Sequence, residues 1–140
     1  MAEQDLASRV TAVRAMVEQS ITSNTATNGD TIAQDTLGGE SYTFIIQLGA
    51  LNDIAGVISL EERDGAESFA AVAAGEVLVD ATASLSFDED DDNKLIVVGY
   101  IGKKDDVRLV ITSTSTVGAN LISAICVIGG HRHKRTASVS

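Results

Sequence analysis

Apolar and polar positions alternate along most of the chain with the period of a β-strand. In "SYTFIIQLG" (Ser41–Gly49) the apolar side chains Tyr42, Phe44, Ile46 and Leu48 fall on every second residue, which predicts a half-buried strand. "GVISLEER" alternates more weakly, setting Val57 and Ser59 against Ile58 and Leu60. Glu67–Ala73 and Glu76–Phe87 are weaker candidates; within the second, "SLSF" alternates at Leu85 and Phe87. The strongest β signals are "KLIVVGYIG", "DVRLVITST" and "ANLISAICVIG". Around the charged turn of "KLIVVGYIGKKDDVRLVIT" the pattern predicts a hairpin with its loop at Gly102–Asp106, a common loop length. In the second strand Val107, Leu109 and Ile111 share one face, and Arg108, Val110 and Thr112 the other.

The first residues read differently. Leu6, Val10, Val13, Val17 and Ile21 recur at spacings of 4, 3, 4 and 4, which is helical spacing, and Asp5 or Ser8 is placed to cap a start. Yet Val10, Thr11, Val13 and Val17 are β-branched and favour helix weakly. Two alternatives stand: a short amphipathic helix, or an extended arm laid on a partner. "TSNTATNGD" (Thr22–Asp30) is a polar break rich in turn residues. The later breaks, "LGGE", "LNDIAG", "RDG", "DEDDDN", "GKKDD", "STVG" and "GG", follow at short intervals. That rhythm predicts an all-β, single-domain antiparallel β-sandwich or jelly roll. The expected organisation is an N-terminal arm or short helix over 1–25, a β-sandwich over 26–130 and a basic C-terminal tail over 131–140.

At 140 residues the chain is long enough to hold a core without staples. Its one cysteine, Cys126, rules out an internal disulfide framework. It sits in an apolar run, and a buried small hydrophobe is the expected role. The formal charge is −10, and the first 130 residues hold all 20 acidic but only seven of the ten basic side chains, a formal −13. An acidic body argues against nucleic acid as a partner, because such binding is driven by neutralising phosphates with Lys and Arg. The tail, with His131, Arg132, His133, Lys134 and Arg135 and no acid, is suited to meeting an acidic surface, although a solvated tail carries the same signature. No run approaches the ~18 apolar residues of a membrane span, and "MAEQDLASRV" lacks a signal-peptide pattern. A soluble chain made in the cytoplasm, without membrane contact, is expected.

Motifs for chemistry are sparse. "DEDDDN" (Asp88–Asn93) is dense in carboxylates, but counting an EF-hand loop from Asp88 puts Asn93 and Gly99 where Gly and Glu are required. A solvated turn is the better reading, with a weak Ca²⁺ site as its alternative. His131 and His133 offer two ligands where tetrahedral Zn²⁺ takes three or four. No Gly-x-Ser-x-Gly, Gly-x-Gly-x-x-Gly or Walker A pattern occurs. The expectation is therefore not an enzyme, and no cofactor.

From "SNTATNGD" through "YTFIIQLG", "VGYIGKK" and "VRLVIT" to the closing apolar strand and His-containing tail, the chain resembles a family of small tailed-phage virion proteins. These are head decoration, or capsid cement, proteins. The resemblance spans roughly Ile21 to His133 and rests on the order and spacing of the pieces. The chain departs from the pattern in having Asp106 where the family often has Tyr before "VR", and in lacking a Pro-containing tail. The resemblance implies a virion protein on the capsid exterior, with the major capsid protein and its own copies, as a homo-oligomer and first a trimer, as partners. Avidity among the copies would supplement modest individual contacts. Leu6, Val10, Val13, Val17, Ile21, Lys103, Lys104 and the tail residues His131–Arg135 are the expected contact residues. Another virion part (head fibre base, neck or tail component) and a ligand-binding β-sandwich module, for Ca²⁺ or carbohydrate, are the alternatives.

Overall fold

The computed structural model describes residues 9–34, 41–79 and 85–130. Strands dominate, and they form two antiparallel sheets packed face to face. One sheet contains β1 (Thr11–Ile21), β11 (Asn120–Gly129), β4 (Ser41–Leu48), β9 (Leu95–Tyr100) and β7 (Val77–Val79), in that order. The other runs β2 (Ala26–Asn28), β10 (Asp106–Val117), β5 (Asp53–Arg63) and β6 (Ala70–Ala71), with β3 (Ile32–Ala33) also on β10 and β8 (Ser86–Asp88) also on β5. We call these the first and second sheets.

The pairings are nested. The first strand meets the last (β1 with β11), then β2 and β3 meet β10, β4 meets β9, and β5 meets β6 and β8. Successive nested pairs fall in alternate sheets, and β11–β4 and β10–β5 contacts join them. One long antiparallel ribbon folded over itself in this way is a jelly roll. The expected all-β sandwich is the observed architecture.

The alternating residues fill the space between the sheets. Tyr42, Phe44, Ile46 and Leu48 from β4 meet Ile54, Ile58 and Leu60 from β5, with Val107, Leu109 and Ile111 from β10 and Ile122, Ala124, Cys126 and Ile128 from β11. Phe87 crosses from β8 to lie over Gly56, where an added methyl group would fall 2.2 Å from the ring. Cys126 is buried, and burial pushes its thiol pKa up to about 12.

Two expectations are corrected. Residues 95–112 do not form a hairpin: β9 belongs to the first sheet and β10 to the second, so residues 101–105 bridge the sandwich. Both strands have one buried face, and five extended residues span up to ~17 Å, more than the ~10 Å between packed sheets. Alternation reports which face is buried, not which strand lies alongside.

The helical alternative for the N-terminal segment also fails, because Thr11–Ile21 is a full strand on β11. Its register slips between Arg14 and Met16 and again between Met16 and Gln19. Each slip shifts the inward positions by one, so the core receives Ala15, Met16 and Ile21, whereas Val17, which helical spacing would group with Val13 and Ile21, faces outward. The first bulge has a use: Ala15 leaves the ladder and its carbonyl accepts from Asp30 N of the β2–β3 turn (2.7 Å), while Gly29 N donates to Leu109 O. Arg14 pairs with Asp30 at 2.9 Å. The segment is part of the sandwich, closing one side of it.

The ends are tied by buried polar groups. Asn120, fully buried, accepts from Asn52 N (2.8 Å) and Asp53 N (3.1 Å), and its Nδ2 donates to Ile21 O (3.0 Å). At the opposite end Tyr100 donates its hydroxyl to Glu62 Oε1 (2.6 Å), linking the sheets.

Candidate functional site

The two outer faces differ in chemistry. On the second sheet, Glu61 and Arg108 sit directly opposite and pair at 2.7 Å, as do Arg63 and Asp106 at 2.9 Å. Both guanidinium groups flank the Phe69 ring, 4.3 Å (Arg63) and 4.0 Å (Arg108) from its centre. This is an ordinary solvated face, stabilised by cross-strand ion pairs and cation–π contacts.

The first sheet's outer face carries almost no charge. β4, β7, β9 and β11 contain no Asp, Glu, Lys, Arg or His at all. Their outward positions are Thr43, Ile45 and Gln47, Leu95 and Val97, Leu78, and Leu121, Ser123, Ile125 and Val127. Leu95 is 64% exposed, and Val17, Leu78, Val97 and Ile125 are each about half exposed. A water-facing face of an antiparallel sheet normally alternates to polar side chains, and a contiguous exposed apolar patch marks an interaction surface.

The face has relief. A shallow groove of about 440 Å³ runs between β1 and the sheet centre, lined by Arg14, Val17, Glu18, Ile45, Gln47, Leu95, Ser123 and Ile125. Beyond Leu95, Val97 on β9 and Leu78 on β7 continue the exposed apolar area to the other side. The register fixes the levels: Leu95 lies with Gln47 and Ser123, and Val97 with Ile45 and Ile125.

The expected contact residues scatter. Val17 lines the groove, whereas Ile21 is buried and Val13 packs against the core. Val10 is half-buried just before β1. Lys103 and Lys104 stand on the bridge at one end of the sandwich, beside a recess of about 360 Å³ shared with Asp64, Glu76, Ile101 and Gly102. Lys104 pairs with Asp64 at 3.1 Å, and that partner holds the carboxyl below its usual range. Leu6 and the tail residues His131, Arg132, His133, Lys134 and Arg135 lie outside the described residues. Ile45, Leu95, Val97 and Ile125, the centre of the exposed face, are absent from the expected set. Their signal was the lack of charge in β4, β9 and β11, which only the sheet order assembles into one surface.

The acidic turn is self-contained. Asp88 and Asp91 form a reciprocal capping box around a 3-10 turn, Asp92 accepts from Leu51 N, and Lys94 bonds Asp91 at 2.9 Å, which lowers the Asp91 pKa. Among the described residues no three His, Cys, Asp or Glu side chains converge as a metal site, and no helix is long and apolar enough to cross a membrane. Comparison with protein-family models, curated proteins and solved structures finds no match to this chain.

Proposed function

We propose that this chain is a structural virion protein that decorates the outside of a tailed-phage capsid and stabilises it. The observation that carries the reading is the apolar outer face of the first sheet, where β4, β7, β9 and β11 carry no charged side chain, on a chain of formal charge −10. Such a face costs solubility unless another protein covers it. It holds no nucleophile beside a base, and the buried Cys126 thiol, with its pKa raised to about 12, is a poor nucleophile. What the face offers is contact area on a rigid core.

The resemblance of "SNTATNGD", "VGYIGKK" and "VRLVIT" to phage decoration proteins supplies the class of assembly. A jelly roll is compatible with that role, but the same fold serves lectins and cupins, so the fold alone does not carry it. The major capsid protein is the proposed partner, with further copies of the chain beside it.

The test is the copy number of the chain in purified phage particles, by quantitative mass spectrometry against the major capsid protein. A ratio between about one to three and one to one is expected for repeated decoration of a symmetric shell. A handful of copies moves the protein to a neck or tail, and absence from particles overturns the reading.

A further inference from the structure

We infer that the sandwich carries a small-molecule site between its sheets, on the side of β7, β6 and β8, for a neutral ligand with an aliphatic body and a carboxamide head. The inference is independent of the capsid role and of the first sheet's outer face.

The two long sides of the sandwich are built differently. On one, Asp30 N donates to Ala15 O and Arg14 pairs with Asp30, which stitches the sheets together. On the other the edge strands are short: β7 has three residues, β6 two and β8 three. Among the described residues no backbone hydrogen bond joins β7 to β6 or β8. A cavity of about 360 Å³ lies there. Ile58 and Leu60 of the second sheet and Val98 of the first form its floor, and Val72, Val79 and Leu85 its walls. The floor belongs to the buried core, whereas the wall residues are only partly buried. Residues 80–84, which link Val79 to Leu85, are not counted in the site.

Size and lining select the body of the ligand. The volume falls within the roughly 300–1,000 Å³ of small-molecule pockets. Scaled from a benzene-binding cavity of about 150 Å³, it takes about a dozen non-hydrogen atoms. No charged side chain lines it, so a charged ligand would lose its hydration without a partner.

The backbone of β5 selects the head. Leu109 O accepts from Gly29 N on the far side of β10, so Leu60, opposite Leu109, directs its N–H and C=O away from β10. Leu60 O accepts from Val72 N (3.1 Å), and two residues earlier Ile58 N donates to Leu85 O (2.7 Å). The other member of each pair, Leu60 N–H and Ile58 C=O, has no backbone partner among the described residues. Both belong to residues that are 3% or less exposed. A buried donor and acceptor left unpaired are costly. They lie on one strand edge, on either side of Ser59, between Val72 and Leu85 of the cavity wall. A carboxamide satisfies both, its oxygen accepting from Leu60 N and its NH₂ donating to Ile58 O.

The experiment is a titration of the ¹⁵N-labelled full-length chain with hexanamide, followed by NMR, with thermal unfolding to verify folding of each variant. Saturable binding with a Kd below about 1 mM is expected, and the Leu60 amide proton moves downfield as it gains an acceptor. Hexanoate, which puts a charge on the same body, is expected to bind at least about tenfold more weakly. Ala71 and Ala74 line the cavity at exposed positions. Ala71→Phe and Ala74→Phe each add a ring at its mouth without touching the core, and at least one is expected to weaken hexanamide about tenfold. No saturation by about 10 mM, hexanoate binding as tightly as hexanamide, or wild-type affinity in both variants overturns the inference. So do largest shifts at Ile45 and Ile125 on the outer face. A response at Leu85 and Val98 that leaves the Leu60 amide unmoved overturns the carboxamide head.

Discussion

Single residues show where specificity resides in a core that is otherwise interchangeable aliphatic packing. Asn120 holds together the ends of β1, β5 and β11 through its own amide, so Asn120→Ala leaves several buried backbone groups unpaired. A loss of about 3 kcal/mol is expected, measured by urea unfolding. Gly118, with φ +70°, abuts the Asn52 side chain, so Gly118→Ala strains the two-residue crossing from β10 to β11 and disturbs the same network. Tyr100 is the pH-sensitive member. Burial, then its bond to Glu62, raises its phenol pKa well above the usual 10. Because the folded-state pKa is the higher one, the neutral phenol's stabilisation is complete below pH 10. It is lost as pH rises further, where the unfolded chain ionises first. Cys126 behaves alike from about pH 8.5. The melting temperature is expected to fall steeply between pH 9 and 11, and less so in Tyr100→Phe, as read by circular dichroism. Of these groups, the sequence marked Cys126 as buried by its apolar neighbours. Asn120 and Glu62 gave no comparable signal, since a polar residue beside a turn is ordinarily solvated.

At the scale of elements, β1 and the bridge after β9 are where local pattern and final structure part. β1 faces the core through Ala15, Met16 and Ile21 and faces outward at Val17. Met16→Ala is therefore expected to cost about 3 kcal/mol, and Val17→Ala, in dilute solution, less than about 0.5 kcal/mol. A helix with Val10, Val13 and Val17 on one stripe would give the opposite order for the last pair, so chemical denaturation of the two variants checks the bulged register directly. The bridge is tested by shortening. Replacing residues 101–105 with Asn-Gly would favour a β9–β10 hairpin if those strands were neighbours. In this fold they lie in different sheets, and the replacement is expected to abolish cooperative unfolding. The β signal located both strands to within a residue or two, and alternation gave the buried face of the second through Val107, Leu109 and Ile111. It carried no information on partners, because a hairpin and a sheet-to-sheet crossing bury the same alternate residues.

For the whole molecule, the nested topology puts the most distant parts of the chain side by side: Thr11 pairs with Ile128 and Ile21 with Asn120. Loop closure over such separations precedes most native contacts, so refolding is expected on the millisecond-to-second scale or slower, checked by stopped-flow fluorescence of Tyr42 and Tyr100. The same closure makes β1 indispensable: a chain lacking residues 1–21 is expected to lose the fold itself, since β11 would then present a bare edge and the core would lack Met16. The sequence by itself determined the class of this protein. Period-two alternation can be satisfied only by burying one face of each strand, which requires two layers, and the acidic, motif-poor composition turned attention from chemistry toward contact. The tertiary structure alone decided which strands are neighbours, which residues close the ends, and that the uncharged outward positions of four separate strands form one surface. Those outcomes depend on pairing between residues as far apart as Thr11 and Ile128, which local hydrophobic pattern does not encode.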